Sequence, residues 1–286
     1  MKLQTPVDAG TSAVTVSYAD RITVLGSCFA DHVGRRLVEA GFDACVNPFG
    51  ALYNPVSLCN AAARLSAGVP FTHEDCVRMG AGSDLWCSFC HHTSFARETP
   101  EAFLENANRC LEEASAFWKE SGKVLVTLGT AWYFTRKDNG ETVSNCLKID
   151  ARTFDRRRLT HGEAAAMLSS RVRRHQEKQF IFTVSPVRHP GDGAHGNQLS
   201  KSVLLLAAEQ VCTEYPERCA YFPAYEIVLD ELRDYRFYAE DMVHPSAQTA
   251  AYIWRRFMDF AMGEADRERV LETERKLLRE KHIPMH

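Results

Sequence analysis

Short apolar runs alternate with longer amphipathic stretches along most of this chain, and this alternation constrains its fold more than any other feature. Residues 22–25, 124–128 and 180–184 have the length and composition of buried strands, and stretches with helical periodicity separate them. Such an alternation predicts βαβ units around a mostly parallel sheet. We therefore expect a three-layer α/β/α sandwich with five mostly parallel strands, arranged as in flavodoxin-like folds.

Helix and turn signals set the other predicted elements. Weaker strand patterns cover residues 44–46 and 220–227, and Asp138-Asn139-Gly140 between residues 132–135 and 142–147 predicts an inserted β-hairpin. Apolar periodicity, caps and stops predict helices over residues 28–40, 55–65, 100–120, 160–176, 197–212 and 246–260, and a charged helical tail over about 264–286. No repeat or flexible linker interrupts the chain, so we expect residues 1–286 to form a single domain.

Charge and hydropathy limit the partners of the chain. Its net charge is only -3, and its lysines and arginines are spread along the sequence, so we expect no nucleic-acid partner. No run reaches the roughly 18 apolar residues of a membrane span, and the N-terminal segment lacks the apolar centre of a signal peptide. These patterns predict a soluble, cytoplasmic protein without a membrane partner.

The chain holds 10 cysteines, scattered through apolar and helical stretches as buried free thiols are rather than as a disulfide framework is. Cys87, Cys90, His91 and His92 form a C-x-x-C-H pattern that also occurs at haem attachment sites. Haem attachment takes place outside the cytoplasm, where we do not expect this chain. We therefore interpret the cluster as a packed strand or loop, with haem or zinc binding as the alternative, and expect no metal or organic cofactor.

The segment Gly26-Ser27-Cys28 places a serine where the first predicted strand changes into the first predicted helix. Gly26 permits a tight turn there, and the free N–H groups at a helix start can stabilise negative charge beside the serine oxygen. Such a serine can attack an acyl carbon if a histidine removes its proton, and its own N–H can help to hold the oxyanion. Two alternatives are Ser27 as a simple helix N-cap and Cys28 as a nucleophile with a lowered thiol pKa.

A family resemblance extends from this segment through most of the chain. Residues 26–30 read Gly-Ser-Cys-Phe-Ala, which resembles the signature of the GSCFA family, and that family is similar to the SGNH/GDSL hydrolases. The likeness continues in four further blocks, at residues 47–55, 128–132, 185–197 and 241–245. It covers about residues 22–260, and it implies a fold of the SGNH-hydrolase type with Ser27 as the nucleophile.

Asp241 and His244 lie far beyond the serine, ahead of the last predicted amphipathic helix. Their distance along the chain is no obstacle, because loops at the carboxyl ends of the strands of a doubly wound sheet meet at one edge. Within a turn, a carboxylate three residues before a histidine can bind its Nδ1–H and leave Nε2 to accept a proton. The resemblance implies these roles, because SGNH hydrolases carry a D-x-x-H near the C-terminus, and it makes Ser27, Asp241 and His244 the catalytic residues.

SGNH hydrolases generally hold the oxyanion with three donors, and the resemblance implies the N–H groups of Ser27 and Gly50 for two of them. Ala131 stands where the third donor, an asparagine side chain, would fall. We expect Thr130, Asn54 or a side chain of residues 189–197 to replace it. The residues expected to contact the substrate are Asn47, Trp132, His189 and His195, with a metal held by the two histidines and Asp192 as an alternative.

These residues predict a serine esterase or deacylase that hydrolyses a small acyl ester, such as an acylated carbohydrate, through an acyl-Ser27 intermediate. His244 would act first as general base and then as general acid, and Asp241 would orient it. The absent asparagine, together with aromatic residues such as Tyr53 and Trp86, leaves two alternatives on the same fold. These are an acyltransferase and a non-catalytic protein that binds a carbohydrate or an acyl group.

Overall fold

The computed structural model describes residues 5–281 and is built around a sheet of five parallel strands. Within these residues the strands are β1 Arg21–Gly26, β2 Asp43–Val46, β3 Val77–Arg78, β4 Trp86–Cys87, β5 Lys123–Leu128, β6 Trp132–Arg136, β7 Thr142–Val143, β8 Phe154–Arg158, β9 Gln179–Val184 and β10 Cys219–Tyr221. The parallel sheet has the order β10-β9-β5-β1-β2. The predicted α/β fold with a five-stranded parallel sheet is therefore confirmed.

Helices cover both faces of this sheet. They are α1 Cys28–Glu39, α2 Pro55–Ala67, α3 Pro100–Glu120, α4 His161–Arg174, α5 Gly193–Glu214, α6 Ala224–Glu226, which continues as a π-helix over Ile227–Leu232, α7 Ala247–Ala261 and α8 Glu264–Lys281. The apolar side chains of α2 to α5 belong to one core, and those of α1, α7 and α8 belong to another, whereas α6 contributes Tyr225 to the first core and Ala224 to the second. The arrangement is consistent with a three-layer sandwich.

The two cores lie on opposite faces of the sheet because successive side chains of a strand point in opposite directions. In β1, Leu25 packs in the core of α2 to α5, whereas Val24 packs in the core of α1 and α7. A strand buried on both faces is continuously apolar, which explains why this strand was readable from the sequence.

The segment after β5 forms a second, antiparallel sheet with the order β7-β6-β8. The turn residues predicted the pairing of β6 with β7, in which Phe134 lies opposite Val143. They did not predict β8, which pairs along the whole of β6 and contains three consecutive arginines. The guanidinium of Arg156 lies 4.1 Å from the centre of the Trp132 ring, so a charged strand covers an aromatic surface here.

The strand predicted over residues 220–227 is wrong beyond Tyr221. β10 ends there, and the chain turns at Pro223 into α6 and its π-helical continuation, which bury Ile227 and Val228 in the core beside α7. A short apolar run has no periodicity that separates a buried strand from a buried helix. Proline fixes a helix-compatible backbone angle, and Pro223 was the neglected signal.

The C-terminal tail forms α8 up to Lys281, and residues 282–286 of the predicted tail lie outside the described residues. Within residues 5–281, none of the helices has both the length and the apolar character needed to span a lipid bilayer.

Candidate active site

Ser27 lies at the junction of β1 and α1, at the carboxyl edge of the parallel sheet, where it was predicted. Its hydroxyl oxygen caps α1 by accepting a hydrogen bond from the Phe29 N–H at 3.4 Å. Gly26 has a φ of +156°, and a Cβ there would lie 2.5 Å from the Thr127 carbonyl oxygen, so the turn requires glycine. Ser27 is 1% exposed, so neighbouring residues at this edge of the sheet cover its side chain.

Asn47, which was expected to contact substrate, uses its amide within the protein. Its Oδ1 accepts a hydrogen bond from the Gly26 N–H at 2.8 Å, and its Nδ2 donates to Asp31 at 2.6 Å. Asn47 follows β2 with a φ of +43°, a conformation that asparagine tolerates better than most residues. The structure thus makes Asn47 a residue that fixes the turn around Ser27.

Asp241 and His244 form a hydrogen-bonded pair within one turn. Nδ1 of His244 lies 2.7 Å from Oδ2 of Asp241, and Oδ1 accepts the N–H groups of Val243 at 2.9 Å and His244 at 3.0 Å. The bond from the His244 N–H, the bond from its ring and the bond from Val243 lower the pKa of Asp241 to about 2. Because an ionised carboxylate only accepts hydrogen bonds, the Nδ1 of His244 carries a proton and its Nε2 is left to accept one.

This turn lies at the same edge of the sheet as Ser27. The Val243 carbonyl accepts a hydrogen bond from the Arg188 N–H at 3.1 Å, which ties the turn to the loop after β9. Burial lowers the pKa of both His32 on α1 and His189 after β9, and the charge of His244 acts in the same direction on each. The side chain of His244 is 43% exposed. Within residues 5–281 no hydrogen bond joins its ring to the Ser27 hydroxyl.

Two predicted oxyanion donors have partners inside the protein. The Gly50 N–H closes the turn of residues 47–50 by donating to the Asn47 carbonyl at 2.7 Å, so it is not a free donor as predicted. The Ser27 N–H donates to the Thr127 carbonyl at 3.3 Å, a long bond that a stronger acceptor could replace.

Thr130 is also fully engaged. Its N–H donates to the Tyr53 carbonyl at 2.9 Å, and its hydroxyl lies 3.1 Å from Ser200 Oγ and accepts the Trp132 N–H at 3.1 Å. Ala131 is 0% exposed, so the position expected to hold an asparagine has no space open to a substrate.

Asn54 is a further predicted donor, and its side-chain amide has unused capacity. Its Oδ1 caps α2 by accepting the Ser57 N–H at 2.9 Å, whereas its Nδ2 has no hydrogen-bond partner within the described part of the chain. A Cβ on Gly129 would lie 3.0 Å from the Tyr53 carbonyl oxygen and 3.3 Å from Ser27 Cβ. The residue before Asn54 therefore lies against the same glycine as the serine side chain.

The other predicted contacts differ in burial. Burial, followed by the charge of Lys201, lowers the pKa of His189 to about 4, so its ring is neutral at pH 7. His195 is exposed in the first turn of α5, which begins four residues earlier than predicted. Trp132 lies under Arg156, and the same arginine pairs with Asp192. Asp192 is thereby engaged, and no metal-binding cluster occurs within residues 5–281.

Lys201 was missed, although it lies directly beneath the site. Its side chain is 1% exposed, and Nζ donates to the carbonyls of Gly129 and Ser185, each at 2.7 Å. These carbonyls follow β5 and β9, so one ammonium ties together the ends of two neighbouring strands. Burial lowers the pKa of Lys201 to about 7. The signal was its spacing on α5, because Lys201 shares the helical face of Leu204, Ala208 and Val211.

The cysteine alternatives find no support in the local environment. Burial, followed by the charge of Asp31, raises the pKa of the Cys28 thiol, whereas a nucleophilic thiol needs a lowered one. In the C-x-x-C-H cluster, His91 is 0% exposed and packs among phenylalanine rings, with its Nδ1 2.7 Å from Ser88 Oγ. His91 is thus a packed core residue, as the favoured interpretation predicted.

A comparison with known protein families bears on the candidate site. The model of the GSCFA family matches residues 21–257, a range that includes every residue of the candidate site. No curated protein matches the chain.

Proposed function

The chain belongs to the GSCFA family, and from this premise we propose that it is a serine esterase or deacylase of the SGNH type. The hydrogen-bonded pair of Asp241 and His244, at the edge where Ser27 begins α1, carries the proposal. A histidine with Nδ1 held by a carboxylate and Nε2 free is the base that a serine nucleophile needs. From the same family membership we propose that the fold is of the SGNH type, with β6 to β8 as an insertion.

The reaction proceeds by two acyl transfers. Ser27 Oγ attacks the acyl carbon while His244 Nε2 takes its proton, and the resulting imidazolium then protonates the departing alcohol. Water next attacks the acyl-serine, gives its proton to Nε2 and releases the acid, and the proton returns to Ser27 Oγ. Asp241 stays ionised throughout and stabilises the imidazolium. For this sequence the serine hydroxyl has to exchange its bond with Phe29 for one with His244.

We propose Asn54 Nδ2 and the Ser27 N–H as donors to the oxyanion. The free amide of Asn54 supports the first, and the 3.3 Å bond to Thr127 supports the second, because an oxyanion is a stronger acceptor than a carbonyl oxygen. The amide of Asn54 would then replace the side chain that Ala131 lacks.

The proposed substrate is a small acyl ester, such as an acylated carbohydrate, with no cofactor and no nucleic-acid or membrane partner. We place the protein in the cytoplasm, and its 10 free cysteines support a reducing compartment. The low exposure of Ser27 favours a second candidate, an acyltransferase with the same acyl-serine, because a covered serine limits the access of water.

Labelling with a fluorophosphonate tests the activated serine. We expect intact mass measurement to show one covalent adduct on the wild-type protein and no adduct on Ser27→Ala. On His244→Gln the adduct should form much more slowly. Ser57→Ala is the matched control, because this buried serine has an unpartnered Oγ on α2, the next helix along the chain. It should label like the wild-type protein.

Turnover of para-nitrophenyl acetate provides the second measurement. Ser27→Ala should lose the activity while its circular dichroism stays native. Unchanged ester hydrolysis or unchanged labelling in folded Ser27→Ala would exclude Ser27 as the nucleophile. Competing alcohols then separate the two candidates, because a transferase yields their esters whereas a hydrolase yields the free acid.

A further inference from the structure

A cavity of about 410 Å³ lies beside the candidate site and contains none of the proposed catalytic residues. The loop after β9 forms one wall, and the segment from α6 to Tyr238 forms the other. The residues that matter for its chemistry are Arg188, His189, Asn197, Tyr225, Tyr235 and Tyr238. Cavities at the carboxyl ends of parallel strands are where α/β proteins bind small molecules.

Arg188 is a half-buried cation in this cavity with no acidic partner. Its guanidinium faces the rings of Tyr235 at 5.7 Å and Tyr238 at 5.9 Å, and it forms no ion pair or side-chain hydrogen bond within residues 5–281. The rim carboxylate of Asp234 lies 3.7 Å from Arg236. The charge of Arg188 is therefore left for a ligand, and a guanidinium is suited to a carboxylate or a phosphate.

Two further polar groups of the cavity lack partners. His189 Nε2 and the Tyr238 hydroxyl are both buried without a hydrogen bond in the described part of the chain. Both atoms are enclosed in the cavity wall rather than open to the cavity, so a ligand reaches them only if the two side chains shift. Both can donate a hydrogen bond to an oxygen atom.

His189, which lines the cavity, also relates it to the candidate site. The main chain of Gly129 lies beside the His189 ring, and a Cβ on Gly129 would be 3.3 Å from Ser27 Cβ. β1, which ends just before Ser27, and β9, which ends five residues before His189, are separated only by β5. With neighbouring strands about 4.8 Å apart, the carboxyl ends of β1 and β9 lie roughly 10 Å from each other, which is about the span of a phenyl or sugar ring and its substituent.

We infer that this cavity receives an oxyanion, a carboxylate or a phosphate, carried by the alcohol part of the ester, with Arg188 as its counter-ion. This inference rests on the proposed function for its position relative to the acyl group. The rings of Tyr235 and Tyr238, which face Arg188, contact the body of the alcohol. The substrate class is then an acyl ester of an acidic alcohol rather than of a neutral one.

Matched esters test the inference. The acetates of para-hydroxybenzoate and para-hydroxybenzamide have nearly the same shape and differ in charge, and the acetate of para-hydroxyphenyl phosphate provides the phosphate arm. We expect the wild-type kcat/KM to be at least about tenfold higher for one of the anionic esters than for the carboxamide, the size of one charge-assisted hydrogen bond. The anionic ester with the larger increase in kcat/KM over the carboxamide shows whether the cavity prefers a carboxylate or a phosphate.

Variants assign this preference to the cavity. Arg188→Gln should bring the ratio of anionic to neutral ester close to one. Arg152→Gln removes the same charge from a side chain that is 91% exposed and does not line the cavity, and it should keep the wild-type ratio. A ratio near one in the wild-type protein, or a ratio retained in folded Arg188→Gln, overturns the inference.

Calorimetry separates this inference from the proposed function. The products para-hydroxybenzoate and para-hydroxyphenyl phosphate need no catalysis to bind. We expect at least one of them to bind the wild-type protein, and we expect this binding to be lost in Arg188→Gln. Binding of this kind without any ester turnover supports the cavity and refutes the esterase. Ester turnover without Arg188-dependent binding of either product refutes the cavity and keeps the esterase.

Discussion

At the scale of single residues, the site depends on which hydrogen-bonding groups are left free. The sequence identified Ser27 because a glycine, a serine and a helix start stand together, and it identified Asp241 and His244 by their spacing within a turn. It could not tell that the Gly50 and Thr130 N–H groups are occupied, because their acceptors, Asn47 and Tyr53, are set by turn geometry and by strand neighbours. The sequence likewise could not show that Asn54 caps its helix through Oδ1 and leaves Nδ2 free.

Asn54→Ser separates the two roles proposed for this residue. Serine is as good an N-cap as asparagine, so we expect the free energy of unfolding to change by less than about 1 kcal/mol. It removes the free Nδ2, so kcat for para-nitrophenyl acetate should fall by roughly 10²- to 10³-fold, as for the loss of one oxyanion donor. Stopped-flow kinetics and urea unfolding measure the two effects. Asn60→Ser on the exposed side of the same helix is the control, and an unchanged kcat in Asn54→Ser would exclude the donor role.

At the scale of elements, the strands buried on both faces and the capped helices were predictable, whereas the elements with mixed signals were not. β8 carries three arginines because its exposed face covers Trp132 and Phe134, and charge hides a strand from a pattern of apolar residues. The run after β10 is largely apolar and has no clear periodicity, so only Pro223 distinguished its helix from a longer strand.

Asn47 joins three elements, since its amide links the end of β1 to α1 from the end of β2. Asn47→Ala leaves the Gly26 N–H and the Asp31 carboxylate without this partner and places alanine at a positive φ, so the free energy of unfolding should fall by about 2–4 kcal/mol. The turn around Ser27 loosens, so kcat should fall more than KM rises. Urea unfolding and steady-state kinetics measure both.

Asn47→Gly is the matched variant, because glycine removes the amide and accepts the positive φ. It should recover about 1 kcal/mol relative to alanine without recovering kcat. If both variants keep wild-type stability and turnover, the amide of Asn47 does not hold the turn.

At the scale of the whole molecule, buried histidines make stability depend on pH. Burial lowers the pKa of His91 from 6.5 to about 3, so the folded protein resists a proton that the unfolded chain takes up. Stability from this group is complete above pH 6.5 and is lost as the pH falls toward 3. Between pH 6.5 and 5 the loss amounts to about 2 kcal/mol.

His91→Phe should remove that part of the pH dependence. A phenyl ring suits the surrounding phenylalanines and cannot be protonated, so the difference in unfolding free energy between pH 7 and pH 5 should shrink by about 2 kcal/mol relative to the wild-type protein. Urea unfolding at the two pH values measures this difference. His161→Gln, which changes an exposed histidine, serves as the control. An equal pH dependence in His91→Phe and wild-type protein would contradict the prediction.

The lysine beneath the sheet edge limits which mutations this position can accept. A neutral aliphatic side chain at position 201 would strand two enclosed carbonyls, and an arginine would have to fit a larger planar head into a space that is already filled. We therefore expect position 201 to tolerate few substitutions, even though Lys201 itself does not need to contact a substrate. A residue with a purely structural role is thus expected to be as intolerant of substitution as the catalytic residues.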